Sequence, residues 1–174
     1  MKIKLPLTDN VIGRLKAGEK VELAGNLFEA RDVVHKKFIE MIKKREPLPV
    51  SLKGEVIYYM GPSPAPPGKI IGSCGPTTSS RMDEFTLALL PFGLKGTMGK
   101  GKRSKEIVKG CKKYRSIYLV TFGGCGAYLS KFVKKISLVA YPELGPEALF
   151  QIEVEDFPAI VGIDIYGNDI YEKV

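Results

Sequence analysis

A chain of 174 residues is long enough to bury roughly 70% of its unfolded surface around one core, so neither disulfides nor a structural metal is needed for folding. Hydrophobic residues make up 44% and charged residues 26%, which excludes fibrous and disordered classes, and no apolar run approaches the ~20 residues of a membrane-spanning helix. The formal net charge of +8 points toward an anionic partner, either nucleic acid or a small acid.

At the N-terminus, Met1-Lys2-Ile3-Lys4-Leu5-Pro6 lacks the apolar core of a signal peptide, which indicates a cytosolic chain. Thr8-Asp9-Asn10 precedes a short amphipathic stretch over 11–15 that closes at Gly18. Residues 21–24 and 27–30 are predicted as two strands meeting in a tight hairpin or corner at Gly25-Asn26. Asp32 is placed as the N-cap of a helix whose apolar face is Val34, Phe38, Met41 and Ile42, ended by Pro47 and Pro49. A strand is predicted over 55–60. The segment 61–68, with four prolines, is a stiff loop.

Lys69-Ile70-Ile71 is strand-like, and Met82, Phe85, Leu89 and Leu90 have helical spacing, with Ser80 and Asp83 in the form of a capping box. Glycine-rich residues 93–102 follow as a turn region, then a basic helix over about 104–113. Residues 117–122 form an apolar strand suited to a sheet interior. Gly123-Gly124-Cys125-Gly126 leads into a short helix. Residues 136–140 are predicted as another buried strand, 147–150 as a helical turn, 152–155 and 160–165 as strands, and 166–169 as a turn. Strands alternating with helices imply an α/β layered fold in one domain over 1–174.

Between Ile71 and the helical pattern lies Gly-Ser-Cys-Gly-Pro-Thr-Thr-Ser-Ser-Arg-Met-Asp-Glu-Phe, residues 72–85. Glycines, five hydroxyls and an arginine concentrate backbone N–H groups, O–H groups and a cation in one small volume. This is the chemistry of an anion site. Arg31-Asp32 at a strand-to-helix corner, Lys100 in Gly99-Lys100-Gly101, and the open backbone at 123–126 join it, because ligands in α/β sheets collect at the carboxyl ends of strands.

The lysines are dispersed in short groups such as Lys43-Lys44-Arg45 and Lys134-Lys135, without the interleaved aromatics of a single-strand platform. A solvated basic surface accounts for most of them. A basic nucleic-acid-binding module therefore rests on charge alone, and it predicts steeply salt-dependent binding. Cys74, Cys111 and Cys125 are an odd, scattered set without CxxC spacing, which disfavours a disulfide framework or a self-contained zinc or iron–sulfur site.

Taken together, Ala30-Arg31-Asp32-Val33-Val34-His35-Lys36, Gly72–Asp83, Gly99-Lys100-Gly101 and Asp156-Phe157-Pro158 resemble, in order and over nearly the whole chain, the β subunit of the class I fumarate hydratase and L(+)-tartrate dehydratase family. The string Gly-Pro-Thr-Thr-x-x-Arg-Met-Asp is the specific part. The resemblance implies a swivelling β/β/α layered domain with a mixed sheet flanked by helices. It also implies an α subunit carrying a [4Fe–4S] cluster, with no cluster ligands and no metal site on this chain. The activity implied is reversible hydration of fumarate to (S)-malate, with tartrate dehydration as the alternative, and no nucleic-acid or membrane partner.

Proton abstraction beside a carboxylate builds charge on that carboxylate, and cationic donors placed there favour the transition state. Arg31 and Arg81 are expected to hold the two ends of the dianion, Lys100 to add a third charge, and the resemblance puts the base at Thr77. Asp32, Gly75 and Thr78 are expected in support. Plainer readings remain for each: Arg81 paired with Asp83 or Glu84, Arg31 paired with a nearby acid, Lys100 solvated, Thr77 a turn former, and His35 a helix-surface or supporting residue.

Overall fold

Strands that are apolar on both faces set the layering, because both faces must then be covered. In the computed structural model, which describes residues 1–172, seven strands are β1 (Lys2–Lys4), β2 (Lys20–Glu29), β3 (Val56–Tyr58), β4 (Gly96–Gly99), β5 (Ile117–Val120), β6 (Val133–Ala140) and β7 (Leu149–Ile163). The helices are α1 (Asp9–Ile12), α2 (Asp32–Lys44), α3 (Asp83–Leu89), α4 (Lys105–Tyr114) and α5 (Gly126–Leu129).

Strands β1 to β5 run parallel in sequence order. β7 is antiparallel to β2 along most of its length, to β5 near its end, and to β6 on its outer edge. Since β7 pairs with both β5 and β2, the ladder β2-β3-β4-β5-β7 closes on itself. Leu23, Leu27, Val56, Tyr58, Met98, Leu119, Phe157 and Val161 fill the space between the parallel and antiparallel layers. The alternate residues Ile57 and Tyr59 face outward, where Val34 and Phe38 of α2 and Leu89 of α3 cover them. Ile107 and Cys111 of α4 pack on Tyr118. The protein is thus a mixed α/β fold with helices, parallel strands and antiparallel strands in successive layers. Among the described residues no helix is long and apolar enough to cross a membrane.

The segments predicted as two strands around Gly25 are one strand. Leu23 faces Phe157 and Gly25 faces Val154, so the single residue Ala24 is matched against Glu155 and Asp156. This is a β-bulge, with the extra residue on β7. Asp156 carries it with φ 54°, and Gly25 opposite has φ 120°. A bulge bends a strand without ending it, which is why the segments predicted over 152–155 and 160–165 join in one strand, which stops at Ile163, with Pro158 tolerated beside the irregularity.

Other expectations are corrected as well. Residues 147–150 are not a helical turn: a 3-10 segment, Pro142–Glu147, precedes β7, which begins at Leu149. Residues 136–140 lie in an edge strand, with Leu138 51% exposed, rather than in the interior. Lys69-Ile70-Ile71 forms no strand. β4 is a central strand inside the region expected to be only a turn. Its glycines suit close packing: a Cβ on Gly96 would stand 2.9 Å from a Val56 methyl.

At Gly25 the backbone angle excludes side chains, and a Cβ would also sit 3.1 Å from the Leu5 carbonyl oxygen. Gly25→Val is expected to destabilise the fold by about 1–3 kcal/mol. Asp156→Gly, which suits a left-handed angle, is expected to change stability by less than about 1 kcal/mol. Urea unfolding followed by circular dichroism measures both.

Candidate active site

The 72–85 segment is held at both ends by the sheet. Thr77 donates from its backbone N–H, at 2.8 Å, and from its hydroxyl, at 3.0 Å, to the carbonyl of Tyr59, just past β3. Lys100 donates its N–H to the Thr77 carbonyl (3.2 Å), and its own carbonyl accepts from Ser79 (3.0 Å). The segment therefore runs as a further rung across the carboxyl ends of β3 and β4. On its other side Cys74 N–H donates to the Gly126 carbonyl at 3.2 Å. Gly75 comes so close to Gly126 that a Cβ there would lie 3.4 Å from the Gly126 Cα.

Beyond Thr78 a 3-10 turn, Ser79–Met82, leads into α3. The capping box expected from Ser80 and Asp83 is not formed: Asp83 is the first residue of α3, Met82 its cap, and no side chain caps the turn. Asp83 is engaged elsewhere. Its Oδ1 accepts from Arg103 Nε at 2.5 Å and its Oδ2 from the backbone N–H of Ser104 at 2.7 Å. Arg103 also donates to Thr86 (2.9 Å) and Thr97 (3.2 Å), and its guanidinium stacks over Tyr118 and Tyr59. Tyr118 in turn donates to Ser79 (3.0 Å) or the Gly101 carbonyl (2.9 Å). A buried cation thus pins the start of α3, the start of α4 and the loop between β4 and α4 to one another.

Asp32 is likewise not the N-cap of α2. Arg31 occupies that position, in extended conformation and with no side-chain cap, and Asp32 is the first helical residue. There its carboxylate complements the helix dipole. The Arg31 carbonyl accepts from the backbone N–H of His35 (3.1 Å) and from its Nδ1 (2.6 Å).

These elements converge on a cavity of about 300 Å³ lined by Arg31, Asp32, Lys36, Thr77, Thr78, Arg81, Met82 and Phe85. Three cations and one carboxylate face it, so it favours anions. The Arg31 chain lies over Gly61, where a Cβ would meet Nη1 at 2.7 Å. Its one ion-pair partner among the described residues, Glu147, stands 3.9 Å away and is half exposed, a weak pair. Among the described residues Arg81 has no ion-pair partner, and Asp83 is taken by Arg103.

Lys100 does not line this cavity. Its side chain lies over Gly123, where a Cβ would be 3.1 Å from Cδ and 3.7 Å from Nζ. Gly75 also lies outside the cavity, as a packing glycine. His35 is fully buried beneath the site, not on the helix surface. Arg103 was not singled out from the sequence. Its signal was an arginine directly before the helix-capping Ser104, in a chain whose cations are mostly lysine.

The family described as Fumarase C-terminus matches residues 1–174. The chain belongs to that family. It is 44% identical over 164 residues to fumarate hydratase 2 of Leishmania major, covering 93% of this chain and 29% of that protein. It is 41% identical over 159 residues to the anaerobic class I fumarate hydratase of Escherichia coli, covering 89% of this chain and 29% of the other. The chain thus spans less than a third of these relatives. A putative L(+)-tartrate dehydratase subunit beta of Methanocaldococcus jannaschii is 40% identical over 174 residues, covering 97% of this chain and 89% of the relative.

An iron–sulfur cluster, which the resemblance implies for the assembled enzyme, needs thiolates. Cys74 lies between the strand layers and Cys111 under α4, and burial pushes both thiols up to about 12. Only Cys125 is exposed, and among the described residues no three His, Cys, Asp or Glu side chains gather as a metal site. The residues present do not fit a cluster.

Breaking a buried pair leaves an uncompensated charge. Arg103→Met is therefore expected to cost about 3–5 kcal/mol, well above the effect of removing any exposed lysine, by chemical denaturation. Two buried groups give opposite pH signatures. Burial raises Glu29, 1% exposed, from 4.5 to about 9, the nearby Arg31 charge opposing it weakly. Burial lowers His35 from 6.5 to about 4. The Glu29 contribution is complete below pH 4.5 and lost as pH rises through 9, whereas that of His35 is complete above 6.5 and lost as pH falls through 4. Thermal melts from pH 5.5 to 9, an interval of roughly the Glu29 window, should show wild-type stability falling more steeply than that of Glu29→Gln.

Proposed function

We propose that this chain is the β subunit of a two-subunit hydro-lyase that reversibly hydrates fumarate to (S)-malate. The observation that carries this reading is the convergence of Arg31, Arg81 and Thr77 on one cation-rich cavity at the carboxyl ends of the parallel strands. The two guanidiniums present planar forks that match carboxylates, and neither is tied up in a strong ion pair. They bind the two ends of a dianion and leave its carbon chain beside Thr77. Thr77, with its backbone and rotamer fixed on the Tyr59 carbonyl, accepts the proton from the C–H next to one carboxylate. A hydroxyl does this only in deprotonated form, so its proton first leaves to solvent and the resting bond from Oγ1 to the Tyr59 carbonyl is given up; the backbone N–H then holds the residue while the guanidinium charges stabilise the alkoxide. Lys100, displaced toward Gly123, serves the pocket wall or a substrate end reached when the partner closes over the site. Met82 and Phe85 form the apolar side of the cavity and keep water from the hydrocarbon part.

The same reading assigns the [4Fe–4S] cluster to a separate α subunit, whose own residues would hold it and where it would supply Lewis-acid chemistry at the hydroxyl. It also takes the layers for those of a swivelling β/β/α domain, in keeping with the parallel inner strands and the antiparallel outer strands. The full-length match to a tartrate dehydratase subunit beta favours a two-chain enzyme, and it keeps L(+)-tartrate as the second substrate reading.

Assays of the purified α–β complex on fumarate, malate and both tartrates separate the two substrates. In that complex Thr77→Ala should lower kcat by about 10²-fold or more with a modest change in KM. A near-normal kcat removes Thr77 from proton transfer.

A further inference from the structure

We propose that His35 is a positioning residue, a wedge that sets Arg31 in register with Thr77. This rests on the dicarboxylate reading above for its effect on activity, but its geometry stands apart from that reading. α2 begins without a side-chain cap. Instead the Arg31 carbonyl accepts twice from His35, from the first-turn N–H at 3.1 Å and from Nδ1 at 2.6 Å. A carbonyl is only an acceptor, so Nδ1 carries the proton. This double contact fixes the peptide from which the Arg31 side chain departs.

The ring reaches the other half of the site as well. It packs edge-on to Tyr59 with centroids 5.6 Å apart, and the Tyr59 carbonyl holds both the N–H and the hydroxyl of Thr77. It lies 6.0 Å from Phe85, which lines the cavity, and 6.3 Å from Phe38 in the core. His35 is therefore the side chain common to the supports of Arg31 and of Thr77.

Its chemistry suits this role and not that of a proton donor to substrate. The residue has 0% exposure, and Nε2 has no hydrogen-bond partner. An imidazolium would bury an unpaired N–H in an aromatic box. The charged groups that bear on the ring are Asp32 on its own helix and Arg103 from across the packing. The neutral Nδ1–H tautomer is the form that fits.

His35 is the only histidine in the chain, so its spectrum is unambiguous. Nitrogen-15 correlation spectra of the wild-type chain should show a protonated Nδ1 and an unprotonated Nε2, with no titration between about pH 8 and 5.5. An Nε2–H tautomer, or titration in the ordinary range, overturns the proposal whatever the enzyme's substrate. In the α–β complex, His35→Leu should raise KM for the dicarboxylate about tenfold, with a smaller loss of kcat, while His35→Asn, which keeps a donor near Nδ1, should stay within about threefold of wild type. Equal kinetics for wild type and both variants, or equal impairment of both variants at similar melting temperatures, overturns it. If the wild-type complex turns over no dicarboxylate, the functional reading fails, and the spectra still decide the clamp.

Discussion

A guanidinium with 3% exposure is costly to hold inside a protein of this size, and Arg103 is held by converging on it nearly every polar group nearby. Asp83 neutralises it, Thr86 and Thr97 accept from it, and two tyrosine faces lie against it. The groups it gathers belong to α3, to β4, to β5 and to the residue after β3. Of these, α3 contributes Phe85 to the wall of the anion cavity, and the residue after β3 holds Thr77 through its carbonyl. The site loop is anchored by backbone bonds at Cys74, Thr77 and Ser79 and by the burial of Cys74 and Met82, and the Arg103–Asp83 pair fixes where it enters α3. Losing this one charge would leave the part-buried Asp83 carboxylate with the Ser104 N–H alone and loosen the start of α3, next to Arg81.

The cavity itself shows a division between cations that are spent on structure and cations that are not. Arg103 is fully committed to the fold. Arg31 has only a long contact to Glu147, and Arg81 has no ion-pair partner among the described residues. Those two line the cavity, and Lys36 with them. Positive charge left uncompensated at the end of a parallel sheet is what an anionic ligand needs, and it also explains why the surface charge is a poor guide to partners. The useful charge is a few groups, not the sum of the lysines.

Much of this was legible in the sequence. The helix over 32–44 followed from apolar periodicity, the strand predicted over 117–122 and found over 117–120 from its continuous apolar run, and the glycine- and hydroxyl-rich string at 72–85 located the loop on which Thr77 and Arg81 sit. What sequence periodicity missed has physical causes. β4 is Gly-Thr-Met-Gly, with no β-branched run to announce it, because its neighbours leave no room for larger side chains. Gly25 and Pro158 look like chain breakers, yet they accompany a bulge that bends two long strands together. Ser80 has the spacing of a cap, but a stronger partner, Arg103, claims Asp83. The side-chain direction of Lys100 depends on Gly123, a residue 23 positions away, and no local pattern encodes it.

The closing strand has a consequence for how the molecule is made. Among the described residues β7 is the last strand in chain order, and it alone joins β5 to β2. During synthesis the parallel strands emerge first and wait with open edges and an uncovered inner face until residues near 163 have left the ribosome. Pairings between β2 and β7 bridge well over a hundred residues, the kind of long-range contact that slows folding. The nascent chain therefore passes through an adhesive stage, and a truncation within β7 would trap it there, prone to aggregation rather than merely less active.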